Sequence, residues 1–130
     1  MEVSKLYGYN KQKAEEGVWI ECGDDGAILC RYYNPQSPRV SAVAARRTKK
    51  FRALINAKAL PPEKDREIAI GIFVECAVIN WRNIKVNGEE VPFTAENAEK
   101  LFHDWPEFHL DVATQAMDMK TFRDDEDVKN

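Results

Sequence analysis

Two histidines, three cysteines and a dense run of arginine and lysine are the residues of this 130-residue chain best suited to chemistry. His103 and His109 stand six positions apart with Pro106 between them, a spacing that does not stack two imidazoles on one helix face. A zinc site wants more Cys or His at short spacing, and no C-x₂-C pair occurs. Both histidines are therefore expected at the surface, flanking a turn. Cys22 and Cys30 can approach each other across a hairpin, but with Cys76 they read as packing thiols of a reducing compartment. The glycines form no phosphate-binding loop, and no G-x-S-x-G elbow is present. Glu89/Glu90 and Asp124/Asp125 fall in a turn and a tail, where nothing desolvates them. The expectation is a non-enzymatic protein with no catalytic, cofactor-binding or metal-binding residues.

What remains is electrostatic. Residues 35–62 carry seven bases (Arg39, Arg46, Arg47, Lys49, Lys50, Arg52, Lys58) and no acid, whereas residues 86–130 carry twelve acids against four bases. The overall charge is only -3, so the segregation predicts two surfaces of opposite potential. They suit partners of opposite sign, or they face each other within one fold. Arg39, Arg46, Arg47, Lys49 and Lys50 are the candidate partner-binding residues. A basic stripe also neutralises phosphates, so a small nucleic-acid-binding or regulatory role for this helix is the alternative. Against it stand the negative net charge and the lack of interleaved aromatic residues apart from Phe51.

Several elements must position these residues. Val18–Cys22 and Ile28–Tyr33 flank Gly23-Asp24-Asp25-Gly26, which predicts a hairpin turning at Asp25-Gly26 in a type I′ geometry. Ser37 and Pro38 suit the cap and first position of a helix running to about Lys58, where Pro61 and Pro62 forbid continuation. Val40, Val43, Ala44, Phe51, Leu54 and Ile55 define its apolar face. Arg47 falls within that face, so it snorkels, pairs with a carboxylate or points at a partner. A second helix begins near Pro62 with Glu63, Asp65 and Glu67 in its first turns, and from Ile68 to Trp81 it is apolar nearly all round, interrupted by Glu75, so it must be the central core element. Asn87-Gly88 predicts a second hairpin. Thr94 caps a third helix to about Asp104, anchored by Leu101, Phe102 and Trp105. Pro106 opens a fourth, with Phe108, Val112, Ala113, Ala116, Met117 and Phe122 on one face.

Apolar residues make up 44 % of the chain and charged residues 32 %, enough for one core beneath a highly charged surface. No run reaches the roughly 18 apolar residues of a membrane span, and the polar start lacks a signal-peptide core. The fold class predicted is α+β, mostly α, with about four helices and one or two small β-hairpins in a single domain. Residues 1–16 are expected to form a flexible arm, 17–122 the helical domain with its N-terminal hairpin, and 123–130 a disordered acidic tail.

The order of features from Ala77-Val78-Ile79-Asn80-Trp81 through Gly88 to Val91-Pro92-Phe93-Thr94-Ala95-Glu96-Asn97, then Leu101-Phe102 and the Trp105-Pro106 break, resembles a known layout. It is similar to the tail assembly chaperones of long-tailed bacteriophages, over roughly residues 41–122. The resemblance implies a non-enzymatic protein that coats the tape measure protein and recruits tail tube subunits. It implies work in the host cell cytoplasm, absence from the mature virion, and in some members a longer frameshifted form. It transfers no contact residues and leaves self-association open. The first hairpin lies outside it.

Overall fold

A computed structural model describes residues 1–124. Its centre is the apolar helix read from the sequence, α5 (Pro62–Ala77), which buries Ile68, Ile70, Gly71, Phe73, Val74, Cys76 and Ala77. Pro62 occupies its first turn, and Glu63 and Asp65 complement the positive end of the helix dipole. The helix stops at Ala77, not Trp81. Val78–Arg82 is instead a strand, β3, joined to α5 without a loop. The β-branched pair Val78-Ile79 favours this, and the Ala77 carbonyl accepts from the Arg31 N–H at the changeover.

The strand joins β1 (Val18–Cys22) and β2 (Gly26–Cys30) in an antiparallel sheet ordered β1-β2-β3. The register sets Ile20, Ile28 and Trp81 side by side, and all three are buried. The first hairpin exists as expected, but not its turn. Cys22 pairs with Gly26, so Gly23-Asp24-Asp25 forms the loop and the positive φ (66°) belongs to Gly23. Gly26 lies within β2, where a Cβ would stand 2.8 Å from the Cys22 carbonyl oxygen. This register also keeps Cys22 and Cys30 from facing each other: Cys30 sits opposite Val18.

Ser37 caps α3 (Pro38–Thr48) by accepting from the Val40 N–H. The predicted helix to Lys58 is broken. A 3-10 turn over Lys49–Phe51 precedes a short helix, α4 (Arg52–Asn56), and Lys58 has a positive φ of 55°. The Thr48 hydroxyl donates back to the Ala44 carbonyl at 2.7 Å, a competing bond that bends helices. As a result Leu54 and Ile55, expected on the buried face, are 43 % and 39 % exposed.

The second hairpin turns at Asn87-Gly88 (φ 51° and 82°) between β4 (Lys85–Val86) and β5 (Glu89–Glu90), as the sequence predicts. Thr94 accepts from the Asn97 N–H to start α6 (Ala95–Asp104), and α7 (Pro106–Met117) follows. Leu101 and Phe102 are buried with Phe73, Val112 and Ala116 in one core, and each fully buried ring contributes about 1.5–3 kcal/mol. Trp105 is not a core anchor. It is the extended joint between α6 and α7 (φ -127°, ψ 76°), and its ring is 54 % exposed while Phe108 and His109 turn inward. Met117 is also exposed, and Phe122 is buried from a separate 3-10 turn, Met119–Phe122.

The first sixteen residues differ from the expected loose arm. They form α1 (Val3–Tyr7) and α2 (Lys11–Glu16), and α2 is tied down. The Asn10 N–H donates to the Phe122 carbonyl at 2.9 Å, Arg123 donates to the Gly8 and Leu6 carbonyls, and Lys13 pairs with Asp124 at 3.4 Å. Tyr9 meets Tyr32 edge-on, 5.0 Å between centroids. Of the predicted acidic tail, Arg123 and Asp124 thus hold the arm, and 125–130 lie outside the described residues. The molecule is α+β, mostly α, in one domain.

Candidate functional site

The five candidate residues lie on α3 and the turn after it, but the structure divides them. Arg39 pairs with Glu15 of α2 at 2.6 Å, which holds the Glu15 carboxyl below its ordinary range. Arg46 and Arg47 share Glu75 of α5, and Arg47 reaches on to Glu99 of α6 at 3.3 Å. The hydrogen bond from Arg46, more than burial opposes it, lowers the Glu75 carboxyl. Lys49 and Lys50 are exposed, and among the described residues no carboxylate stands within ion-pairing distance of either.

Arg47 is the pivot. It enters the seam between α3, α5 and α6 at Gly71, where a Cβ would stand 2.3 Å from its Nη1. The glycine makes room for the guanidinium to bridge two helices. The Arg47 Nε is buried and finds no partner among the described residues. Of the three fates open to Arg47, pairing with a carboxylate is the one observed. Its two mismatched signals, a cation on the apolar face of α3 and a carboxylate in apolar α5, answer each other. Glu99 and Lys64 carried no such signal.

Beside this bridge a cleft of about 450 Å³ opens between α3 and α5. Phe51 and Ile68 supply its apolar lining, Arg46, Arg47, Lys50 and Lys64 its cations, and Glu67 and Glu99 its carboxylates. The Lys50 and Lys64 ammonium groups lie over the Phe51 ring, 5.3 and 5.6 Å from its centroid. Lys64 also pairs with Glu67 at 3.1 Å.

The other chemistry-bearing residues are packing groups. Cys30 is fully buried, and desolvation pushes its thiol up to about 12. Burial likewise raises Cys22 and Cys76. Thiols raised in this way stay protonated at neutral pH and are poor nucleophiles. His103 meets Glu63 at 3.0 Å near the surface. His109 departs from expectation: it is half-buried, its ring 5.4 Å from those of Phe73 and Phe102. Burial first, and Arg66 second, lower its pKa. Among the described residues no three His, Cys, Asp or Glu side chains are grouped to hold a metal ion, and no helix is long and apolar enough to cross a membrane.

The profile of a family described as YdaY prophage protein matches residues 35–130. The match begins just before the cap of α3 and takes in α5, β3 and everything after them, leaving out the arm and the first hairpin. No curated protein and no solved structure matches the chain. With roughly three-quarters of its length in that match, the chain belongs to the YdaY prophage protein family and is phage-derived.

Proposed function

We propose that this protein is a non-enzymatic tail assembly chaperone, which binds a tape measure protein and recruits tail tube subunits in the host cytoplasm. One observation carries the reading: the prophage-family match encloses the whole stretch, roughly 41–122, on which the resemblance to tail chaperones rests. Within that stretch the resembling residues do structural work that keeps the layout in place. The Trp81 indole N–H donates to the Val91 carbonyl at 2.8 Å, and the Asn97 side chain donates to the Pro92 carbonyl. The charged exterior is suited to reversible docking, because exposed ion pairs form and break at little cost.

The test is co-expression of the tagged chain with the tape measure protein of the same prophage, followed by pull-down with a duplex DNA control. Capture of the tape measure protein supports the reading. Failure to capture it, with retention on DNA, would favour the nucleic-acid alternative.

A further inference from the structure

We infer that the cleft between α3 and α5 is a docking groove for an acidic, apolar-bearing segment of a protein partner. Its lining combines an apolar floor with an unbalanced cationic rim. Phe51 and Ile68 form the floor, and the rim sets four cations, Arg46, Arg47, Lys50 and Lys64, against two carboxylates, Glu67 and Glu99. Two ammonium groups converge on one aromatic ring, yet only Lys64 has a carboxylate partner among the described residues. Arg46 already shares Glu75 with Arg47, so Lys50 remains uncompensated, and the exposed Lys49 and Arg52 beside it add further positive charge. A groove that keeps excess positive charge around an apolar floor is complementary to carboxylates flanking an apolar side chain.

The apolar component selects among anions. Three and four residues after Phe51 in the chain, Leu54 and Ile55 stand exposed on the short α4. A phosphate backbone offers no complement to these aliphatic groups, whereas the apolar face of an acidic helix does. This assigns binding to a different place from the whole stripe expected on α3: Arg47 is taken up in the bridge between helices, Arg39 and Arg46 are engaged by Glu15 and Glu75, and Lys50, Phe51 and Lys64 meet the partner. The inference rests on the chaperone reading for the partner's identity, but not for the location of the site.

The test is an amide chemical-shift titration of the full chain with a synthetic amphipathic peptide of glutamate and leucine. A glutamate-serine peptide, a lysine-leucine peptide and duplex DNA serve as comparison probes. Shifts should cluster at Lys50, Phe51, Lys64 and Ile68 with the glutamate-leucine peptide, and binding should weaken with salt. Lys50→Glu/Lys64→Glu should weaken it about tenfold or more, whereas Lys85→Glu on the second hairpin should not. Lys50→Gln/Lys64→Gln gives a milder variant should charge reversal disturb folding. Shifts located elsewhere, or wild-type affinity in both double variants, would overturn the inference. Tighter binding of duplex DNA at the same residues would overturn it in favour of nucleic acid. The two readings fail separately: capture of the tape measure protein undiminished by Lys50→Glu/Lys64→Glu removes the groove alone. Groove binding of the peptide without tape measure capture supports the groove and removes the chaperone role.

Discussion

Arg47 and Gly71 define each other: the guanidinium crosses α5 in the space where any side chain at position 71 would begin. This contact locks α3 onto α5 and, through Glu99, onto α6. Gly71→Ala on its own should destabilise, because the gain in helix propensity of about 1 kcal/mol is outweighed by displacement of the bridge. In an Arg47→Ala background the same change should stabilise. A denaturant double-mutant cycle checks this, and a coupling below about 0.5 kcal/mol would show the two positions to be independent.

Trp81 and Trp105 look equivalent as sequence and are opposite as structure. Trp81→Ala should cost about 3–5 kcal/mol, through the emptied volume and the lost bond to Val91. Trp105→Ala should cost less than about 1 kcal/mol, since the exposed ring leaves no cavity. Thermal or urea midpoints of the two variants decide between these outcomes.

His109 should make stability depend on pH. Burial between Phe73 and Phe102 lowers its folded pKa below the unfolded value of about 6.5. The unfolded chain therefore takes up the proton first. Its contribution is fully present above that value, and it is lost as pH falls from there through the folded pKa. His109→Phe should remove this component of the decline between neutral and mildly acidic pH. An unchanged slope would contradict the assignment.

The arm offers a further check. Arg123→Ala removes the guanidinium that holds the Gly8 and Leu6 carbonyls. Hydrogen exchange at the Asn10 amide, which donates to Phe122, should then speed up while the α5 amides keep their protection. Loss of protection throughout would mean that the arm is integral to the core.

Local chemistry was the legible part of this fold. Ser37, Thr94 and Asn87-Gly88 each act within a few residues, and each cap or turn stands where its chemistry places it. The α5 core was legible because a helix apolar on every side has to be enclosed. The shifted first turn and the break after Thr48, which bonds back to Ala44, are local, but the larger departures come from distant partners. Val78–Arg82 continues the helical pattern of α5, and the presence of β2 to pair with it tips its β-branched start into a strand. Polar residues 1–16 gave no sign that Arg123 would hold their carbonyls. The basic stripe was visible as charge, but which cations are consumed internally depends on Glu15, Glu75 and Glu99, three carboxylates brought in from three other helices.

The central claim is the chaperone role, and the solubility of the tape measure protein tests it most directly. Expressed alone, the long tail protein should sediment as aggregate, because its apolar surface has no tube to cover it. Expressed with this chain, it should move to the soluble fraction and elute with the chain as one complex. An insoluble tape measure protein in both cases, with the chain eluting by itself, would contradict the role.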